Sequence, residues 1–261
     1  MKAAVVGVGY LGNFHAQKYH QLAGIELYAV CDVNQARADE LASQYQCIAL
    51  TDYRNIKDHA DVVSIVTTTP YHYEIARFCL ENGIHVLLEK PMTSTIAQAD
   101  ELIALANKHN LVLQVGHLER FNPTIVNIRS VLNQPRFIES IRIAPFQLRG
   151  TDVNVVLDLM IHDLDIVMEL VNSDITEIRA TGAPVLSDKM DIVNARVEFA
   201  NGCVANLVAS RVSLKRERKL RIFQEDGYLS VDLEKKSYAR YWKTGDINPL
   251  GIPNISHEVK Q

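Results

Sequence analysis

Residues 2–12 read Lys2-Ala3-Ala4-Val5-Val6-Gly7-Val8-Gly9-Tyr10-Leu11-Gly12. Five residues of an apolar strand run straight into a G-x-G-x-x-G turn, and a helical stretch follows to about Leu22. The glycine spacing alone is a weak signal, so the context carries the reading. A second apolar strand, Glu26 to Val30, ends at Cys31-Asp32, which puts an acidic residue 20 positions beyond Gly12. A strand, a glycine turn, a helix and an acid at the end of the next strand form the dinucleotide fingerprint. Gly7 permits the tight turn, Gly9 lets backbone approach a pyrophosphate, and Gly12 lets helix and strand pack closely. The helix start offers amide donors and the positive end of its dipole to the phosphates, so Tyr10 and Leu11 count with the glycines as cofactor-side residues. The Asp32 carboxylate can accept from both ribose hydroxyls and would repel a 2′-phosphate, which predicts NAD over NADP.

Outward from this stretch the same rhythm continues. Asn34 is placed to cap a helix running to about Tyr45. Val62 to Val66 (VVSIV) is nearly all apolar, as suits a parallel strand covered on both faces. It ends at Thr67-Thr68-Thr69-Pro70. A helix is expected over 71–82, a strand over His85 to Leu88, then Glu89-Lys90-Pro91. Thr95 and Gln98 have capping-box spacing for a helix reaching about His109, and a last strand runs from Leu111 to Val115. Strands alternating with helices predict βαβ units and a Rossmann parallel sheet. Ligands bind at the carboxyl edge of such sheets, so Thr67, Thr68, Pro70, His72, Glu89 and Lys90 join the cofactor-side candidates. No histidine, His15, His20 and His72 included, has metal-ligand spacing.

After about residue 120 the pattern changes. A helix is expected over 122–132, a strand over Phe137 to Ile143, and a long apolar helix from Val153 to Val171. Strands follow from Ile175, with Asn201-Gly202 and Asp226-Gly227 as hairpin dipeptides. The fold class is therefore α/β: a Rossmann domain over 1–118, then an α+β substrate and oligomerisation domain over 119–261 on a largely antiparallel open sheet. The long helix carries one narrow polar stripe of Asn154, Asp158, His162, Asp165 and Glu169, with Asp163 off it. Asp158 and His162 are four apart and can face one cleft, and a histidine there is a natural general base. The basic run Lys215 to Arg221 is read as a solvated sheet edge, with service to an anionic substrate as the alternative.

Composition agrees with an enzyme of this kind. The chain has 261 residues, 48% hydrophobic and 22% charged, with a net charge of −4. That excludes a basic nucleic-acid surface. No apolar run approaches the roughly 18 residues of a membrane span. Four scattered cysteines imply neither a disulfide framework nor a metal site, and a reducing cytoplasm is expected.

The glycine turn, Glu89-Lys90-Pro91, and Asp158 followed by His162 together resemble the Gfo/Idh/MocA family of sugar and cyclitol oxidoreductases, over nearly the whole chain. The resemblance implies that Lys90 is the active-site lysine, that His162 accepts the proton, and that Asp158 orients the substrate or tunes its neighbours. It also implies that the bond before Pro91 is often cis. Gly116-His117-Leu118-Glu119-Arg120-Phe121-Asn122-Pro123 and the segment Leu157 to Asp163 are similar to the nucleotide-sugar branch. That implies oxidation of a ring hydroxyl, the 3-hydroxyl of a UDP-N-acetylhexosamine on a lipid A or surface-polysaccharide route, with His117, Arg120 and Asn122 lining the substrate cleft. A homodimer or homotetramer through the second domain's sheet is expected. Members usually close with a C-terminal helix, which this sequence does not predict. Two other readings stay open at this point: a dehydrogenase of a free cyclitol or monosaccharide, and a non-catalytic NAD-binding regulatory protein on the same fold.

Overall fold

The computed structural model describes residues 1–147, 153–247 and 253–260. The chain divides into two compact units, Met1–Gly116 and His117–Gln261.

In the first unit, six parallel strands lie in the order β3-β2-β1-β4-β5-β6. They are β1 (Lys2–Val6), β2 (Glu26–Cys31), β3 (Ile48–Leu50), β4 (Val62–Ile65), β5 (His85–Leu88) and β6 (Leu113–Val115). This is the doubly wound order, and it reverses direction between β1 and β4. The central strands are buried nearly end to end, which explains their continuous apolar character. Helices α1 (Tyr10–Gln21), α2 (Gln35–Tyr45), α3 (His72–Glu81) and α4 (Ile96–His109) connect them. Side chains set two of these starts: Asn34 accepts from the Arg37 amide and Thr95 from the Gln98 amide. β3 escapes the sequence reading. It is a three-residue edge strand with no fully buried residue, so little hydrophobic patterning is imposed on it.

The second unit is built on eight strands in the order β14-β13-β12-β11-β7-β10-β9-β8. These are β7 (Phe137–Ile143), β8 (Ile175–Ala183), β9 (Ile192–Phe199), β10 (Val204–Ser210), β11 (Glu217–Phe223), β12 (Gly227–Asp232), β13 (Ser237–Ile247) and β14 (Pro253–Lys260). All pairings are antiparallel except β7 with β10. Alternate residues such as Ile138, Val197, Leu207, Leu220 and Leu229 pack with Ile166, Val167 and Leu170 into one core. That core holds α6 (Ile161–Val171) against one face of the sheet.

Three expectations are corrected here. The helix expected over 122–132 is only α5 (Pro123–Ile128), preceded by a 3-10 turn at Leu118–Phe121. Asn122 and Pro123 do start a helix, but the chain must turn into β7, and it does so through Gln134 at φ 42°. The helix expected from Val153 begins as a π-helical turn, Val156–Met160, and only then becomes α6. The Asn154 side chain accepts from the amides of both Val156 and Leu157, at 3.1 Å each, and sets this start. The basic run at 215–221 enters β11, which lies between β12 and β7 and is not an edge. Lys219 and Arg221 sit on the side of the strand opposite Leu220 and Ile222, while Arg218, on the same side as those two, reaches Glu119.

Among the described residues, no helix is long and apolar enough to cross a membrane. Nor does any cluster of His, Cys, Asp and Glu suit a metal ion.

Candidate active site

The first unit gathers its candidates at the carboxyl edge of the sheet, where β1 and β4 part. Gly7 leaves β1 at φ +86°, and a Cβ there would lie 2.7 Å from the Thr67 amide nitrogen. The glycine turn is thus seated on the backbone that ends β4. A Cβ on Gly12 would come within 1.9 Å of the Gly7 carbonyl oxygen, so α1 can start only because Gly12 has no side chain. A Cβ on Gly9 would meet nothing within 4 Å. Space over the turn is open, and no side chain caps the first turn of α1. Tyr10 and Leu11 stand exposed beside it.

Asp32 is fixed at the end of β2 by two backbone donors. Its Oδ2 accepts from the Val8 amide and its Oδ1 from the Asn34 amide, both at 3.0 Å. At the end of β4, the Thr67 Oγ1 is buried with no hydrogen-bond partner. An orphaned buried hydroxyl is costly unless something else satisfies it. An uncapped helix start, an acid beside the glycine turn and a hydroxyl awaiting a partner fit a dinucleotide across this switch point. Thr68 and Pro70 follow on the same edge, the latter within the 3-10 turn Thr69–Tyr71.

Lys90 follows β5, is half-buried, and precedes a cis peptide bond to Pro91. Glu89 is buried, and its carboxylate takes the Nε2 of His15 at 3.2 Å and the Lys90 amide at 3.2 Å. His15, which has no metal-ligand spacing in the sequence, therefore belongs to the site's frame. So does Ser64, the polar residue in an otherwise apolar β4, which meets His15 Nδ1 at 3.1 Å and the Tyr19 hydroxyl at 2.9 Å. A lone serine within a buried strand was the available signal. His72, expected on the cofactor side, is 1% exposed. Its ring nitrogens face the protein's own carbonyls, so it supports the edge from beneath.

In the second unit, Asp158 lies in the π-turn and His162 in the first turn of α6, both half-buried. Single π-turns recur at functional sites, where the wider turn re-aims side chains. Further along the polar stripe, Asp165 and Glu169 are tied down by arginines. Arg120 grips Asp165 with two donors, Nε at 2.7 Å and Nη2 at 2.5 Å, and Arg129 bonds to Glu169. His117 Nδ1 stands 3.9 Å from Asp165 Oδ1. Asn122 caps α5 through the Thr124 amide at 3.1 Å and donates to the Leu233 carbonyl at 3.2 Å. Arg120 and Asn122 were expected to line the substrate cleft. Each engages the protein's own groups, Asp165 for Arg120 and the Thr124 amide and Leu233 carbonyl for Asn122, which braces the segment 117–122.

Asp163, off the stripe, turns the other way and is buried. It receives Arg142 Nε at 2.7 Å and Nη2 at 3.0 Å, while Arg142 Nη1 reaches Glu119 Oε1 at 3.3 Å. Burial pushes the Asp163 carboxyl up from the usual range, and the Arg142 guanidinium pulls against that rise. Sequence reading missed Arg142. The signal was an arginine at a core-facing position of β7, in register with Ile138 and Ser140, where a charge demands a buried partner.

Comparison with known proteins brings these observations together. Residues 1–117 match the model described as oxidoreductase family, NAD-binding Rossmann fold, and residues 124–230 the GFO/IDH/MocA C-terminal domain. The chain is 40% identical over 260 residues to UDP-N-acetylglucosamine 3-dehydrogenase of Acidithiobacillus ferrooxidans, covering 99% of this chain and 82% of that one. A solved structure of that dehydrogenase superposes with a TM-score of 0.92, covering 100% of this chain and 83% of the other. This chain is also 25% identical over 232 residues to scyllo-inositol 2-dehydrogenase (NAD(+)) of Bacillus subtilis, covering 82% of this chain and 68% of that relative.

Proposed function

Because the chain belongs to the Gfo/Idh/MocA oxidoreductase family, we propose that it oxidises the 3-hydroxyl of a UDP-N-acetylhexosamine to a ketone with NAD. The observation that carries this reading is the 40% identity, over 99% of the chain, to a dehydrogenase of UDP-N-acetylglucosamine. The inositol dehydrogenases among the relatives stand lower, at 24–28% identity.

The first unit's residues would hold the dinucleotide. The glycine turn and the start of α1 receive the pyrophosphate, Asp32 the ribose hydroxyls, and Thr67 to Pro70 the edge beyond. NAD, when bound, supplies the hydride acceptor. His162 takes the proton from the sugar hydroxyl, as a neutral imidazole can near neutral pH. Lys90 stabilises the alkoxide as charge develops on that oxygen. Asp158, one turn before His162, orients the imidazole or the sugar. A cytoplasmic setting suits both NAD and a nucleotide sugar.

We propose in addition that the chain self-associates through the open face of the second unit's sheet. Phe137, Phe223, Tyr228, Tyr241 and His257 form a ladder across five strands there, with ring centroids 6.1, 5.5, 4.6 and 5.9 Å apart. Tyr228→Glu would place a charge in that stripe and is expected to shift the sedimentation coefficient to that of a smaller species.

The test of function is direct. Purified protein is mixed with NAD and, in turn, UDP-N-acetylglucosamine, UDP-N-acetylgalactosamine, myo-inositol, scyllo-inositol and free hexoses, and absorbance of the reduced cofactor is followed. Turnover with the UDP-amino sugars is expected, abolished in His162→Ala. Turnover with inositols alone would move the chain to the cyclitol reading. Binding of NAD with no turnover on the whole panel would favour a regulatory protein.

A further inference from the structure

Lys90 sits between two residues that are each tied to a different histidine, one from α1 and one from α3. On its N-terminal side, the Glu89 carboxylate is held by His15 Nε2 at 3.2 Å and accepts the Lys90 amide at 3.2 Å. Gly116 packs against that carboxylate so closely that a Cβ there would lie 2.7 Å from Oε1. On its C-terminal side, the Pro91 carbonyl oxygen lies 2.9 Å from His72 Nδ1, while His72 Nε2 lies 3.0 Å from the Thr67 carbonyl oxygen. His72 therefore bridges the loop after β4 to the loop that carries Lys90.

Donor counting gives the two histidines different proton inventories. Around His15 a neutral ring suffices. The Tyr19 hydroxyl can donate to Ser64 Oγ, Ser64 to His15 Nδ1, and His15 Nε2–H to Glu89. Burial pushes the Tyr19 hydroxyl up, which keeps it a donor near neutral pH. His72 has no such solution. Both of its partners are backbone carbonyls, which only accept, and it is 1% exposed. A neutral imidazole would set one bare nitrogen against a carbonyl oxygen out of reach of water, an uncompensated contact in a buried site.

We infer that His15 and His72 are positioning residues that clamp Lys90 from its two sides, His72 doing so with both ring nitrogens protonated. The inference rests on the proposed role of Lys90. The clamp links three parts of the edge: α1 beneath the glycine turn, the Thr67 loop, and the lysine loop. Holding a reacting group within a fraction of an ångström is worth large factors in rate, and about 1 Å of displacement can cost on the order of 10²-fold.

Two measurements test it. In the first, wild-type protein labelled with ¹⁵N at histidine is examined by NMR at neutral pH, with the His72 signals identified by their loss in His72→Gln. Two protonated ring nitrogens are expected, and a single unprotonated one would overturn the clamp. This readout needs neither substrate nor turnover. In the second, kcat is measured for His72→Phe, Lys90→Ala and the double variant, with Kd for NAD from calorimetry. The histidine variant should lose on the order of 10²-fold in kcat with little change in Kd. The double variant should be no slower than Lys90→Ala alone, because residues acting as a unit are not additive. His15→Phe should behave likewise, and His15→Gln, which keeps a donor toward Glu89, should recover part of the rate. Losses that multiply would mean the histidine works independently of the lysine and would overturn the clamp. Full turnover in Lys90→Ala would instead remove the lysine from the proposed mechanism, while the ring-nitrogen spectrum would still decide the state of His72.

Discussion

Replacing Arg142 by methionine takes away a guanidinium that is 2% exposed and leaves two carboxylates facing the hole it occupied. Asp163 loses both of its arginine bonds, and Glu119 loses one. Glu119 keeps Arg218 Nη1 at 3.3 Å, so the burden falls on Asp163. Breaking a buried pair from one side costs about 3–5 kcal/mol, because a charge is stranded. Protonation sets a ceiling near this range. Moving an aspartate from its ordinary value near 4 to neutral at pH 7 costs about 1.4 kcal/mol per unit, or about 4 kcal/mol. Asp163→Asn should be milder, at about 2–3 kcal/mol, since Arg142 keeps Glu119 as a partner. The double change Arg142→Met, Asp163→Leu leaves no stranded charge and should return to within about 1 kcal/mol of wild type.

The assay can be confined to the second unit. The chain's one tryptophan, Trp242, lies in β13, so its fluorescence follows unfolding of that sheet. At about 2–4 °C per kcal/mol, Arg142→Met should lower Tm by about 8–16 °C. The deficit should also depend on pH. Without Arg142 the buried carboxyl titrates well above its unfolded value. The stability of its neutral form is present at acid pH and is lost as pH rises through that folded value. The gap to wild type should therefore narrow as pH falls from 7 toward 4. A pH-independent loss, a loss no larger than that of Asp163→Asn, or a double variant as weak as Arg142→Met would refute the reasoning.

Three further outcomes are expected. Gly12→Ala would force a Cβ to 1.9 Å from the Gly7 carbonyl oxygen, and calorimetry should find NAD binding weakened at least about 10-fold, or 1.4 kcal/mol, as the first turn of α1 is displaced. Asp32→Ser removes the carboxylate that would repel a 2′-phosphate, so the ratio of kcat/KM for NADP to that for NAD should rise by about 10-fold or more, measured by reduced-cofactor absorbance. Asp191 is buried, and although burial alone would raise its carboxyl, donors from the Val185, Leu186 and Ser187 amides and from Arg211 hold it well below the usual range. Its contribution is present above the unfolded value near 4 and is lost as pH falls below it. Acid unfolding followed by Trp242 fluorescence should thus begin below about pH 4, and Asp191→Asn should flatten that dependence.

Much of the first unit was legible in the amino-acid order because its signals are local. A strand buried on both faces must be apolar throughout, and a helix start needs its cap within three residues. A glycine that must touch backbone leaves a gap no other residue fills. β1, α2 with Asn34, α4 with Thr95 and the Gly7-Gly9-Gly12 turn all follow from such rules. The second unit was legible as a class, strands with one long helix, but not in its order. The basic run at 215–221 looked like an edge because six of its seven residues are charged. An interior strand with one open face can carry such charges as well. Strand neighbours are chosen by pairings between distant segments, such as β7 with both β10 and β11.

The candidate site divides in the same way. Sequence alone determined which chemical groups stand at the strand ends and along the helix: the glycine turn, Asp32, Lys90, Asp158 and His162. Tertiary structure alone decided what each group is held by. His15 meets Glu89 across 74 positions, Arg120 meets Asp165 across 45, and His72 joins Thr67 to Pro91. The physical reason is range. Propensity, capping and burial periodicity act over a few residues and are written into neighbours. Burying a charge or a ring nitrogen imposes a need for a partner that any distant segment can meet, and only the folded chain selects which.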